Sequence, residues 1–383
     1  MKILLLTDGI YPYTIGGMQK HSYYLGKFLA RLEVQVDIII PKQEKNQNKR
    51  TEDFLTEQEL KRISFIEIDF PRARYFPGHY VYDNYRYAEN ILRETSENLS
   101  DYDYVYAQGY TAWALLNNRQ KSWPPIGVNF HGVEMYQPSD GLKSHLEKLI
   151  LRPPAKYCLK KADAAYSLGG KLTDLLKRVT GKDHIVETPI GIENRWLENP
   201  DFSVSENRRF VFVGRYEKRK GIELLNKVIQ RYKHSNFSFE FIGPIPVNKQ
   251  VSHPSVTYHG AVYVEERIKE VLDKCDVLFC PSYSEGMPTV ILEAMSRGLA
   301  VVATDVGAVS CLVSDKTGWL LEAGNLEQLN QVFLEAIQIA PELLLQKKKN
   351  ARQLIKDHYT WDKVAELNLE VIRQILKKGP EIN

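Results

Sequence analysis

The sequence predicts an α/β protein built as two doubly wound domains, each around a parallel sheet, with a cleft between them. Three observations predict it. Short apolar runs of strand length alternate with stretches of helical period along most of the chain. The series breaks at a polar stretch, residues 191–208, and starts again at Phe210-Val211-Phe212-Val213. The length, 383 residues, is too great for one ordinary domain and suits two.

The first series opens with an apolar strand at residues 2–7, a turn-rich loop at 8–17 (DGIYPYTIGG) and helical periodicity at 18–32. Strand, glycine loop and helix in that order mark a nucleotide-type opening, although G-x-G-x-x-G is absent. Gly16-Gly17 read as a tight turn or as the place where a phosphate approaches; their position beside a helix N-terminus favours the phosphate. Residues 34–40 and 64–70 are further strands, and the polar segment 42–61 between them reads as a surface excursion. Residues 70–87 are dense in Tyr, Arg and Pro. Tyr80, Tyr82, Tyr85 and Tyr87 either stack on a sugar ring or pack the start of a helix, and the pattern does not choose. Short strands follow at 104–107 and 127–130. His131 ends the second, at the sheet edge where α/β proteins hold ligands. A basic helix, 142–161, is expected to break at Pro153-Pro154. It reads as a solvated face, with a membrane-surface helix as the alternative. Residues 162–167, 172–180 and 185–189 close the series as strand, helix and strand.

The second series runs through strand 210–215, helix 220–233, strands 237–242 and 256–259, and helix 264–273. It then reaches the stretch that organises the rest, CPSYSEGMPTVILEAMSRGLAVVATDVG at 280–307. A buried strand at 277–280 leads into a loop, a helix that opens at Pro288 and stops at Gly298, and a short strand at 301–304. The helix start favours an anion. Glu285 and Glu293, as carboxylates, only accept hydrogen bonds and so suit hydroxyl groups. A ligand with both phosphates and many hydroxyls satisfies both features: a sugar nucleotide. Gly214-Arg215 at a strand end and Lys220-Gly221 at a helix start add the cations a diphosphate needs. Helical patterns at 325–339, 341–357 and 360–377 finish the chain.

Composition narrows the class. With 43% hydrophobic and 26% charged residues and a formal charge of +3, the chain has an ordinary globular balance and no electrostatic case for nucleic acid. The four cysteines (Cys158, Cys275, Cys280, Cys311) form no C-x-x-C pair, so reduced and mostly buried thiols are expected, and no metal. The apolar opening turns polar at Thr7-Asp8, which reads as a strand and not a signal peptide. No apolar run approaches the roughly 20 residues that span a bilayer. A cytoplasmic protein is expected, with peripheral attachment at the inner membrane surface left open.

The combination of motifs resembles the retaining GT-B glycosyltransferases of the large family-four group. The resemblance rests on Gly16-Gly17, His131-Gly132-x-Glu134, Ala162-Asp163, Gly214-Arg215-x4-Lys220-Gly221, Pro281-Ser282 and Glu285-Gly286-x6-Glu293-Ala294. Thr317-Gly318-Trp319-Leu320 and a final helix containing Trp361 also match, so it covers nearly the whole chain. Each motif alone is weak; their order and spacing together are specific. Thr188-Pro189-Ile190-Gly191-Ile192-Glu193 and Ser167-Leu168-Gly169-Gly170 depart from the usual pattern.

The resemblance implies two Rossmann-like domains: 1–195 on the acceptor side, 196–359 holding the donor, and 360–383 crossing back to the first. It implies a nucleotide diphosphate sugar as co-substrate, UDP favoured over GDP, and no further cofactor. His131, Arg215, Lys220 and Glu285 would be catalytic. Gly16, Gly17, Gly214, Gly286, Met287, Pro288, Thr289 and Glu293 would bind the donor: Glu285 its sugar hydroxyls, Glu293 the ribose. Base contacts are expected from the loops after Gly243 and around residues 258–265. Residues 70–87 and 133–152, with Arg74, Tyr75 and Glu134, would shape the site for a glycan, lipid-linked or small-molecule acceptor. A sugar-nucleotide epimerase of the same fold and a non-catalytic glycan or sugar-nucleotide binder are the competing readings.

Overall fold

Two parallel sheets account for the alternation of apolar runs and helices. The computed structural model describes the chain apart from residues 15, 44–49, 73–77, 138–140, 183–184, 200–201, 233–235 and 379–383. It divides into two compact units, Met1–Ile190 with Trp361–Asn383, and Gly191–Thr360.

The first unit contains β1 (Lys2–Leu6), α1 (Gly17–Arg31), β2 (Gln35–Pro41), α2 (Glu57–Leu60), β3 (Ile63–Ile68), α3 (His79–Thr95) and β4 (Tyr104–Gln108). It continues through α4 (Trp113–Asn117), β5 (Ile126–Asn129), α5 (Leu142–Lys161), β6 (Ala164–Ser167), α6 (Lys171–Thr180) and β7 (Val186–Glu187). Its seven strands lie in the order β3-β2-β1-β4-β5-β6-β7, and every pair is parallel. Ile3, Leu4, Leu5 and Leu6 are buried on both faces, which is why β1 reads as an unbroken apolar run. The order turns back between β1 and β4, so the loops after those strands diverge and leave a crevice at their carboxyl ends.

The second unit contains β8 (Arg208–Val213), α7 (Ile222–Arg231), β9 (Phe237–Ile242), β10 (Val256–Tyr258), α8 (Glu265–Leu272), β11 (Val277–Cys280), α9 (Thr289–Ser296), β12 (Ala300–Thr304), β13 (Gly318–Leu321), α10 (Leu326–Gln338) and α11 (Pro341–His358). Six parallel strands run β10-β9-β8-β11-β12-β13. The order turns back between β8 and β11. Phe210, Phe239, Phe279 and Phe333 interlock beneath the sheet, Phe210 lying 5.2 Å from both Phe279 and Phe333. At the amino end of the sheet, Lys348 and Asp276 are buried together at 3.2 Å, and Lys348 also donates to Ser203 O at 2.7 Å. A last helix, α12 (Trp361–Lys378), returns to the first unit, where Trp361 stacks on Tyr24 of α1 at 5.4 Å.

Three expectations need correction. The helix α5 does not break at Pro153-Pro154 but runs through both. The prolines deprive the carbonyls of Leu149 and Ile150 of their amide donors, while the hydroxyls of Tyr80, Tyr110 and Tyr136 donate to the nearby carbonyls of Glu147, Leu151 and Arg152 and hold the half before the prolines in place. Ala155, Cys158 and Leu159, all buried, anchor the half beyond the prolines. The segment 42–61 is no mere excursion either, although 44–49 lie outside the described residues. Thr56 and Glu59 form a capping box at the start of α2. Glu59 is buried and takes Arg31 Nε at 2.6 Å, while Tyr23 and Lys27 of α1 donate to Phe54 O. Finally, the helix expected from residue 220 starts at Ile222, because Gly221 adopts a left-handed φ of 70°.

Of the tyrosines, Tyr87 is core, its hydroxyl donating to Thr7 O at 2.9 Å. Tyr85 meets Trp113 edge-on and Tyr80 serves α5, so packing explains these three; Tyr82 stays exposed.

Candidate functional site

In the second unit the sequence-predicted residues gather at the turn-back point of the sheet. Gly214 follows β8 directly, its N–H donating to Ile242 O at 2.8 Å. A Cβ on Gly221 would overlap the carbonyl oxygen of Pro281, so only glycine lets the loop after β8 close on the loop after β11. Tyr283 N–H then donates to Arg219 O at 2.7 Å and fixes the two loops together.

That approach brings Lys220 Nζ to 2.7 Å from Glu285 Oε1, and Ser282 Oγ donates to the same oxygen at 2.7 Å. Arg219 Nη1 lies 3.8 Å from Glu285 Oε2 and is held by Glu217 through its Nε at 2.7 Å. Glu285 is only 8% exposed. A carboxylate so far from water needs cationic and hydroxyl partners, and here it has both. Thr304 Oγ1 donates to Ser282 O, and Ala308 N–H to Gly286 O at 2.8 Å, so the loop is braced from β12 as well. Met287 and Pro288 are buried; Pro288 caps α9 from outside instead of occupying its first turn. Thr289 opens α9, whose first amides have no carbonyl four residues back and whose dipole favours an anion. Glu293, half-buried, lies one turn further along.

Arg215 lies at the outer edge of this network, joined to it through Glu217. Its side chain is 71% exposed and pairs with Glu217 at 2.9 Å. Lys220 has three N–H donors, of which Glu285 takes one.

In the first unit, Gly16 precedes α1 in extended backbone and Gly17 is its first residue; a Cβ on Gly17 would meet no described atom within 4 Å. His131 follows β5 with a left-handed φ of 52°, a conformation that a non-glycine residue holds only when its surroundings impose it. Its N–H donates to Asn129 Oδ1 at 2.7 Å, and its Nε2 lies 2.8 Å from Gln108 Oε1 at the end of β4. Glu134 is exposed and begins a short 3₁₀ turn, Glu134–Tyr136. Arg74 and Tyr75 lie outside the described residues.

Burial pushes the His131 imidazole down to about 4, and His21 beside it is lowered by burial and by His131. Both rings are therefore neutral at pH 7. Their folded affinity for protons lies below the unfolded value of about 6.5, so their contribution to stability is complete above pH 6.5 and is lost as pH falls below it, the His131 share as pH falls through about 4. The melting temperature should drop by several degrees between pH 7 and 4.5, and less in His131→Asn; an equal drop in both would refute this origin.

Comparison with known proteins gives the family and the fold. A model described as Glycosyltransferase Family 4 matches residues 15–193, and one described as Glycosyl transferases group 1 matches residues 207–338. The chain belongs to the group 1 glycosyltransferases. An uncharacterized glycosyltransferase of Methanocaldococcus jannaschii is 26% identical over 373 residues, 95% of each chain. A Bacillus subtilis glycosyltransferase whose name refers to teichuronic acid biosynthesis is 25% identical over 359 residues, 87% of this chain and 88% of the relative. Sucrose-phosphate synthase from Thermosynechococcus elongatus superposes with a TM-score of 0.75 at 18% identity, over 98% of this chain and 99% of the other. Anabaena HepE, solved in complex with UDP, gives 0.69 at 14% identity over 98% and 100%. The architecture is the GT-B fold, two Rossmann-like domains.

For this glycosyltransferase, Arg219, Glu217 and Ser282 were not legible as site residues. Ser282 carries a local signal, a hydroxyl three residues before a loop carboxylate. Arg219 and Glu217 carry none, because the run Arg215–Lys220 holds five charged residues and only the turn at Gly221 selects which of them reach Glu285. Among the described residues no group of three or more His, Cys, Asp and Glu could hold a metal ion, and none of the four cysteines is in a disulfide.

Proposed function

We propose that this glycosyltransferase acts with retention on a nucleoside diphosphate sugar, a UDP-sugar in preference to a GDP-sugar, and passes the sugar to a hydroxyl of a glycan, lipid-linked or small-molecule acceptor. The observation that carries the reading is the Lys220–Glu285–Ser282 cluster beside the start of α9, at the turn-back of a parallel sheet. Glu285 accepts hydrogen bonds from sugar hydroxyls, Glu293 from the ribose, and the α9 amides with Lys220, Arg219 and Arg215 hold the diphosphate. Gly16 and Gly17 serve the phosphates and His131 the sugar, as the resemblance implies. Exposed Val247, Tyr263 and Val264, on loops after β9 and β10, offer apolar surface for the base. UDP in the HepE structure supports that choice of nucleotide.

In the reaction the acceptor oxygen bonds to the anomeric carbon as the bond from that carbon to the β-phosphate oxygen breaks. The acceptor proton passes to the leaving phosphate on the same face. Fixed cations stabilise the charge that develops there, so no metal is assigned a step. The direct test is mass spectrometry of acceptor mixtures incubated with UDP-, GDP- and ADP-sugars. A glycosylated product with the donor's anomeric configuration is expected. Inverted product would overturn retention, and an isomerised sugar released without acceptor would favour an epimerase. Replacing Arg74 and Tyr75 with Ala should raise acceptor KM with donor hydrolysis intact; unchanged acceptor kinetics would remove them from the site.

Peripheral membrane attachment is part of this proposal. Leu142, Leu146, Leu149 and Ile150 are exposed along one stripe of α5, and exposed Lys156, Lys160 and Lys161 follow on the same helix. No helix among the described residues is long and apolar enough to cross a membrane. Co-sedimentation with vesicles containing anionic lipid is expected, weaker with phosphatidylcholine alone and lost in Leu146→Glu/Ile150→Glu. Equal recovery of that variant would sink the assignment.

A further inference from the structure

Behind His131 lies a second histidine that none of these roles uses. His21, on the second turn of α1, is fully buried, and neither of its ring nitrogens has a hydrogen-bond partner. Its ring meets His131 edge-on, with centroids 4.6 Å apart and planes at 84°. Trp361 lies 5.3 Å away and Tyr106 6.4 Å away. A buried polar atom without a partner is unfavourable, and a phenyl ring would fill similar space with no such atoms. Packing alone gives no reason for an imidazole here.

His131 is tethered at two points but not at a third. Its N–H is held by Asn129, which is itself oriented by donating from Nδ2 to Tyr106 at 2.9 Å. Its Nε2 faces Gln108. Its Nδ1 is buried and has no partner. These bonds fix the backbone and one corner of the ring, while the rotation of the ring is checked by what lies against it. His21 lies against it.

We infer that His21 is a positioning residue: from α1 its ring seats the His131 imidazole in one orientation and one tautomer, with Trp361 of α12 supporting the seat. The inference rests on the proposed role of His131. Edge-to-face contact between aromatic rings is directional, so a neutral imidazole edge favours one placement of its neighbour's ring nitrogens over the flipped one. With Nε2–H donated to Gln108 Oε1, the lone pair stays on Nδ1. Trp361 stacks on Tyr24 with planes at 26° and lies 6.3 Å from Phe28, so the seat joins the first helix of the chain to the last.

The test uses the full chain with ¹⁵N-labelled histidine. In the wild type, His131 should show one neutral tautomer protonated on Nε2. His21→Phe, which fills the space, should mix the tautomers and lower kcat at least 10-fold. Donor KM should stay within about twofold and the melting temperature should not fall. A wild-type tautomer and wild-type kcat in His21→Phe would overturn the inference and leave His21 as filler. If His21→Phe does not fold, Trp361→Phe applies the same readout from the other side: mixed tautomers support the seat, and an unchanged His131 spectrum refutes it. His131→Ala with full turnover would sink the proposed role of His131 instead, whatever the spectra of the His21 variant show.

Discussion

Lys220→Ala is expected to lower kcat/KM about 10³-fold, roughly 4 kcal/mol of transition-state stabilisation, while the fold survives. Two effects add. The lysine is lost as a fixed cation for the departing nucleoside diphosphate, in a place where its charge is poorly screened. Its removal also leaves Glu285, only 8% exposed, with Ser282 at 2.7 Å and with Arg219 no nearer than 3.8 Å by its Nη1. A buried carboxylate that loses its closest cation is destabilised, so a fall of several degrees in melting temperature should accompany the kinetic loss. The double variant Lys220→Ala/Glu285→Gln separates the two. The neutral amide should restore much of the melting temperature and none of the turnover. Arg215→Ala provides the contrast. Its side chain is 71% exposed and already paired with Glu217, so a loss within about 10-fold is expected. Near-normal kcat/KM in Lys220→Ala would remove this residue from the leaving-group site.

Glu285 was legible because its neighbours in sequence are also its neighbours in the site: strand, loop carboxylate and helix start are contiguous, and each has a local signature. His131 was legible for the same reason, as a polar residue at a strand end in an alternating pattern. The partners that give these residues their chemistry were not. Lys220 meets Glu285 across 65 positions of sequence, and the pairing depends on Gly221 fitting against Pro281. Gln108 and His21 reach His131 from other elements through the strand order of the first sheet. The continuity of α5 across two prolines escaped for a related reason. The rule that proline breaks a helix is local, whereas Tyr80 and Tyr110, which donate to its carbonyls, come from segments about 40 to 70 residues away. Local propensity and periodicity thus place the elements and the ends of strands, and long-range contacts decide which charged side chain reaches which.

Gly307→Ala should be among the most damaging single substitutions outside the charged residues. Gly307 has φ 58°, and a Cβ there would overlap the carbonyl oxygens of both Glu285 and Gly286. The left-handed backbone alone is unfavourable for alanine by about 1–2 kcal/mol. The overlap adds to this because it falls on backbone, which cannot turn aside as a side-chain tip can. The loop carrying Glu285 would have to move away from β12, and the Ala308 N–H bond to Gly286 O would stretch with it. The total should reach at least about 3 kcal/mol in urea unfolding, with donor binding lost in the fraction that remains folded. Gly181→Ala isolates the backbone term. Its φ is 71°, close to that of Gly307, but a Cβ there meets nothing within 4 Å, so about 1 kcal/mol and normal donor binding are expected. Equal losses in the two variants would mean that the left-handed turn, and not the approach of Gly307 to the Glu285 loop, is what this position supplies. A Gly307→Ala protein that still binds donor would show that the loop reaches its working geometry without that close contact.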